Sequence, residues 1–274
     1  GAEVVRVRGS YDDAVRQVER DAAQQGWTVI SDTAWEGYED IPRLIMLGYT
    51  RMMEEVSVHQ GKPEGLPPRS GVNVHQGKPE GLPPRSGVNQ LVGANQLVGA
   101  NLQVCPDAVF VQGGVGGLLC GVASWWAFHK GAARPKIVCV EPLEAACLLA
   151  SAQAGAPVAL EGPLTTTLAG LRNREVSPLA FEAVRPIVDA YVAIDDAWAH
   201  QAMRHLGHPL GDDPAINAGA SGAAALGGLL AVLSDPALAD VRDRLQLGAN
   251  SRVLVIVSEG VTDPALWSAV MGTA

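Results

Sequence analysis

The residues with the greatest chemical potential stand where apolar runs end. Gln112-Gly-Gly-Val-Gly-Gly-Leu118 follows Asp107-Ala-Val-Phe-Val111 and leads into a segment of helical character. Glycines at a strand-to-helix turn let backbone N–H groups close on an anion, and a helix N-terminus adds about half a positive charge there. The loop can therefore hold a phosphate, although tight strand-to-helix packing alone would use the same glycines. A Walker loop is excluded, because no Gly-Lys-Ser/Thr follows. A dinucleotide fingerprint is met at Gly114 and Gly116, and Glu141 ends the next strand where a ribose-binding acid would fall, but Leu119 takes the third glycine position. A smaller ligand with a single phosphate fits better. Asp32, just after the apolar Trp27–Ile30, is suited either to act as a base in a cleft or to cap a helix. His200, His205 and His208 lack a recognised metal-ligand spacing and read as solvated or capping residues. Trp125-Trp126 reads as packing or a subunit contact.

Elements that could position these residues follow from pattern. Gly1–Val7 and Trp27–Ile30 read as strands around a helix that has a Ser10/Asp13 capping box and Gly26 at its end. Asp40 and Pro42 start a second helix carrying Leu44, Ile45 and Tyr49 inward. From Asp107 onward apolar strands alternate with helices. Strands are expected at 108–112, 136–140, 191–194 and 252–257, with helices at about 118–130, 143–153, 197–206, 222–233 and 236–247. This is the signature of an α/β protein whose parallel sheet is covered on both faces, with ligands at the carboxyl ends of the strands.

Between the second helix and this region, residues 58–73 are repeated without change at 74–89, and QLVGAN at 90–95 recurs at 96–101. The units match no solenoid period, and the block reads as an atypical duplicated surface insertion at about 57–103.

The chain has 274 residues, a formal charge of −9 and an apolar fraction of 47%. Nothing basic is concentrated enough to engage a nucleic acid or an anionic membrane, so the expected partner is a small molecule. Ala218–Leu233 is short of the roughly 20 residues of a membrane span and reads as a buried helix. Cys105, Cys120, Cys139 and Cys147 show no CxxC spacing and suit reduced thiols in a cytoplasmic protein.

Several motifs, in order, resemble diaminopropionate ammonia-lyases. They are Asp32-Thr-Ala-Trp-Glu-Gly-Tyr38, Ile41-Pro42, the glycine loop, Val140-Glu-Pro142, Ala169-Gly-Leu171, Met203-Arg-x-Leu-Gly-x-Pro-x-Gly-x-Asp-Pro214, Ser221-Gly-Ala223 and Val255-Ile-Val-Ser-Glu-Gly260. The heptad is the most specific of them, since threonine and serine dehydratases share the loop and the Ser-Gly-Ala helix start without it. The resemblance implies a fold-type II pyridoxal-phosphate enzyme of the tryptophan-synthase-β group. Residues 1–34 would then end a smaller domain and 35–274 would form the larger, cofactor-binding one. It implies that Gly113, Gly114, Val115, Gly116 and Gly117 cradle the cofactor phosphate through backbone N–H groups and that Ser258 faces the pyridine nitrogen. Asp32 would be the base toward the L-isomer of 2,3-diaminopropionate, which β-elimination converts to pyruvate and ammonia. No metal is implied, and relatives are homodimers.

The sequence departs from the pattern in its lysines. Lys62, Lys78, Lys130 and Lys136 are the only ones, and none stands in the family's Schiff-base context. The expectation is that an amino-terminal half supplies that lysine. The alternatives are a threonine/serine dehydratase-like lyase and a non-catalytic cofactor-domain fragment.

Overall fold

A computed structural model describes residues 3–59 and 105–272. The duplicated block, apart from its first residues, lies outside the described residues.

The structure is built on a parallel four-stranded sheet. Its strands are β1 (Ala108–Gln112), β2 (Lys136–Pro142), β3 (Ala190–Ile194) and β4 (Val253–Val255), in the order β3-β2-β1-β4. Val109 stands beside Ile137 and Leu254 in the register; the two central strands begin together, and β2 runs on past the end of β1 to Pro142. All of β1 is buried, as the unbroken apolar run Ala-Val-Phe-Val requires of a strand covered on both faces.

Strand alternation sorts the core into two layers. Ala108, Phe110, Val138 and Val140 face α6 (Asp196–Gly207), α7 (Ala220–Ser234), α8 (Ala239–Leu245) and α9 (Pro264–Met271). Val109, Val111, Ile137 and Cys139 face the other way. They meet α2 (Asp40–His59), α3 (Gly117–Lys130), α4 (Cys147–Ala154) and α5 (Pro178–Val184). Helix α7 is apolar around its circumference because it lies between the sheet and α6, with ten of its residues buried. Among the described residues no single helix is long and apolar enough to cross a membrane. Trp125 and Trp126 are both buried in the second layer and meet edge to face at 5.0 Å, so they are packing residues within this chain.

The amino-terminal reading is confirmed for the helix and corrected for the strands. Helix α1 (Tyr11–Gln25) carries both halves of the Ser10/Asp13 capping box, and Gly26 closes it in the left-handed conformation at φ 68°. Neither residues 3–7 nor Trp27–Ile30 form a strand. Val4 is 79% exposed and Ile30 80%, and among the described residues no neighbouring strand offers them a hydrogen-bond ladder. The expected strand at 252–257 is shorter, Val253–Val255, since only those residues pair with β1. Two helices, α5 and α9, go beyond the sequence reading. Both open with proline just inside the first turn, and Asp263 caps α9 by accepting from the Leu266 N–H.

Candidate active site

At the carboxyl ends of β1 and β4 a cavity of about 850 Å³ opens. Its walls include Tyr11, Asp32, Tyr49, the loop from Gln112 to Leu118, the Ala169–Leu171 segment and Val257 to Val261. This is where a parallel α/β sheet places a ligand.

The glycine loop turns the chain out of β1. Gly114 has φ 62° and Gly116, which caps α3, has φ 102°, conformations that a residue with a Cβ rarely adopts. The Gly113 N–H donates to the Val140 carbonyl at 2.8 Å, continuing the β1–β2 ladder, and the Gly116 N–H donates to the Gly113 carbonyl at 3.2 Å. Those two groups are used by the fold. The N–H groups of Gly114, Val115, Gly117 and Leu118 have no acceptor among the described residues, and all four residues line the cavity. Of the five loop residues expected to bind phosphate, three thus present a free donor, and Leu118 adds a fourth at the helix start.

Opposite the loop stands the Asp32 heptad. Trp35 and Tyr38 stack at 4.1 Å and exchange backbone hydrogen bonds, while the Tyr38 hydroxyl donates to the Val29 carbonyl and accepts from the Ser31 N–H. The Ala34 N–H donates to Ser177 Oγ, which anchors the heptad beside α5. This knot holds Asp32 half-buried, with Oδ2 at 3.9 Å from the place that a Cβ on Gly117 would take. Tyr11 donates to Asp32 Oδ1 at 3.1 Å, and Tyr49 lines the same wall beside Gly117. Burial first, and then the Asp32 charge, pushes the Tyr49 phenol above its ordinary value; burial likewise dominates the upward shift of Tyr11.

Ser258 follows β4, exposed to the cavity. Its Oγ accepts a 2.8 Å hydrogen bond from Gln112 Nε2. The strand end can lie so close to α7 because of Gly222, where a Cβ would fall 2.3 Å from the Glu259 carbonyl oxygen. Glu259 in turn accepts from the Gly222 N–H at the α7 N-terminus and from the Thr262 hydroxyl. Ser221 Oγ accepts from the Gly170 N–H at 2.9 Å, so two of the motifs read from the sequence meet in one wall.

Glu141 does not face the cavity as a ribose-binding acid would. It is 1% exposed, and its carboxylate accepts from the Leu148 and Leu149 N–H groups at 3.0 and 2.9 Å, capping α4. Burial raises its pKa to about 7. His200 is held by Thr167 Oγ1, whose hydroxyl and N–H are themselves tied to Asp196. Of the described lysines, Lys136 pairs with Asp189 at 3.5 Å and Lys130 ends α3; neither lines the cavity. Lys62 and Lys78 lie outside the described residues.

Sequence reasoning placed Asp32, the loop and Ser258, and the fold brings all of them to one cavity. It did not name Tyr11, and it gave Gln112, Tyr49 and Ser221 no role in the site. A buried Gln at a strand end was the one available signal, since 112 ends a wholly apolar run.

The family model described as pyridoxal-phosphate dependent enzyme matches residues 90–259. The chain belongs to that family. Among curated proteins it is 34% identical to the diaminopropionate ammonia-lyase of Escherichia coli strain K12, over 96% of this chain and 56% of the relative. Among solved structures it resembles the E. coli diaminopropionate ammonia lyase in complex with an aminoacrylate-PLP azomethine reaction intermediate. The TM-score there is 0.73 at 32% identity, covering 95% of this chain and 56% of that one. The E. coli enzyme in complex with D-serine superposes with a TM-score of 0.74 at 31% identity, covering 97% and 56%. The chain therefore spans a little over half the length of these relatives. The fold is that of the fold-type II pyridoxal-phosphate enzymes.

The residues of this pyridoxal-phosphate family member fit its cofactor. Free backbone donors cluster at a glycine turn that leads into a helix, which suits a phosphate dianion. A neutral hydroxyl, already fixed by a donor, stands across the same cavity and suits the ring nitrogen.

Proposed function

We propose that this chain carries the cofactor-binding part of a diaminopropionate ammonia-lyase, which converts 2,3-diaminopropionate to pyruvate and ammonia by β-elimination. The observation that carries the reading is that the Asp32 carboxylate, the phosphate-type loop and the Ser258 hydroxyl line one cavity. The similarity to the E. coli lyases over 96% of the chain supports it, and so does the heptad that builds the Asp32 wall.

Pyridoxal phosphate, when bound, supplies an electron sink for the pair released at the substrate Cα. The chain's own residues do the rest. The N–H groups of Gly114, Val115, Gly117 and Leu118 would hold the phosphate, and Ser258 would donate to the ring nitrogen without forcing its protonation. That keeps the sink moderate, which suits departure of a β-amino group over other fates of the carbanion. Asp32 takes the Cα proton of the L-isomer, with Tyr11 donating to its Oδ1 and fixing its orientation. Residues 1–34 belong to a smaller domain and 35–274 to the larger one. The protein acts in the cytoplasm as a homodimer on a small amino acid.

The test is pyruvate release from L-2,3-diaminopropionate by the natural gene product that carries this sequence. Asp32→Asn lowers turnover by about 10²–10⁴-fold, the usual loss for a positioned base. Unchanged turnover of the L-isomer removes Asp32 from the mechanism, and preference for serine or threonine over diaminopropionate replaces the reading with a dehydratase.

A further inference from the structure

Gln112 is the last residue of β1, is 2% exposed, and opens the glycine motif without being given a function there. Its Nε2 is within hydrogen-bond distance of three acceptors on two elements other than its own. These are Ser258 Oγ at 2.8 Å, the Ile256 carbonyl at 3.0 Å and the Gly222 carbonyl at 3.2 Å. Three acceptors around one nitrogen fix the amide orientation, since the reverse orientation would set an oxygen against three oxygens. The Gln112 Oε1 has no partner among the described residues.

A serine hydroxyl has one proton and two lone pairs. Because an amide N–H of Gln112 takes up one lone pair of Ser258, the hydroxyl proton must be directed away from the Gln112 nitrogen. Ser258 is exposed and lines the cavity, and its hydroxyl has no acceptor among the described residues. We infer that Gln112 is a positioning residue that sets Ser258 as a donor into the cavity, so that the site selects a cofactor ring nitrogen that accepts a hydrogen bond. This inference rests on the cofactor reading above and adds to it the residue that dictates the direction of the bond.

The Gln112 amide also reads as a joint. It ties the ends of β1 and β4 and the first turn of α7 at one point, so the loop that starts at Gly113 and the strand that delivers Ser258 are held in fixed relation. Gln112→Met, of similar length and without a donor, leaves all three acceptors without the shared N–H groups and frees the Ser258 hydroxyl to turn.

The experiment is equilibrium dialysis of the purified chain against pyridoxal phosphate, with inorganic phosphate as a second probe, for wild type, Gln112→Met, Ser258→Ala and the double variant. Each single variant weakens pyridoxal phosphate binding by about 3–10-fold, the size of one hydrogen bond, and the double variant weakens it no further than either alone. Affinity for inorganic phosphate, which meets only the loop, is unchanged in all of them. Losses that multiply in the double variant, or a loss of phosphate binding in Gln112→Met, show that Gln112 acts through the fold and not through Ser258, and overturn the inference. Where Gln112→Met fails to fold, Gln112→Glu serves, because its protonated carboxyl keeps the shape and one donor, and ionisation then removes that donor and sets an oxygen against Ser258 Oγ. The same 3–10-fold loss is expected above its titration, and wild-type affinity there overturns the inference. A wild-type chain that binds phosphate but not pyridoxal phosphate overturns the cofactor reading itself, an outcome distinct from any difference among the variants.

Discussion

Replacing Glu141 by Gln tests the physical account of the carboxyl end of β2 beside the glycine loop. The Glu141 carboxyl is 1% exposed, and burial holds its pKa at about 7 against an ordinary 4.5, even though two backbone N–H groups of α4 stabilise the charge. Between these values the folded chain keeps a proton that the unfolded chain has released. The contribution to stability is therefore complete below about pH 4.5 and is lost as pH rises through about 7. At about 1.4 kcal/mol for each pH unit, the loss amounts to about 3 kcal/mol. A glutamine cannot titrate, but its amide oxygen can serve only one of the two N–H groups well, and its NH₂ meets the other, at a cost of about 1–3 kcal/mol. Wild type should therefore exceed the variant by about 1–3 kcal/mol at pH 4.5, and the advantage should vanish or reverse at pH 8. Urea unfolding of both proteins, followed by tryptophan fluorescence across this range, isolates the effect because every other titration is shared. A wild-type advantage that stays constant from pH 4.5 to 8 would refute the reasoning.

Other substitutions probe the walls of the cavity. Gly222→Ala places a methyl 2.3 Å from the Glu259 carbonyl, so the overpacking cost of about 1–3 kcal/mol should outweigh the helix-propensity gain of about 1 kcal/mol, and pyridoxal phosphate affinity should fall with it. A thermal melt at or above wild type would contradict this close approach. Ser221→Ala removes the acceptor of the Gly170 N–H and should cost about 1 kcal/mol in urea unfolding; no loss would mean that the Ala169–Leu171 wall is held otherwise. Burial pushes the Cys139 and Cys147 thiols well above their ordinary range, so a disulfide reagent at pH 8 should modify Cys105 first and reach these two only on unfolding. Rapid labelling of Cys139 in the native protein would show that the second core layer is open.

Much of the fold from residue 107 onward was legible because a strand buried on both faces must be continuously apolar. Ala108–Val111 and Ile137–Val140 satisfy this without ambiguity. The amino-terminal strands were misread for the complementary reason. Val4, Val5 and Ile30 have strand-like side chains, but a strand exists only where another strand takes up its backbone groups. Helices α5 and α9 were not read because each is short, with 7 and 8 residues, too few for a helical period to show. In the site, the glycine loop announced itself through composition, yet which N–H groups remain free depends on the β1–β2 ladder and the α3 cap, which no local pattern specifies. Tyr11 and Asp32 are 21 residues apart and Gln112 and Ser258 are 146 apart, so their hydrogen bonds are products of tertiary structure alone.

The measurement that tests the central claim most directly is a crystal structure of the chain soaked with pyridoxal phosphate. The account expects the phosphate oxygens within about 2.7–3.2 Å of the N–H groups of Gly114, Val115, Gly117 and Leu118, and the ring nitrogen at hydrogen-bond distance from Ser258 Oγ. Pyridoxal phosphate bound elsewhere, or bound in this cavity with its phosphate away from the loop, would contradict it.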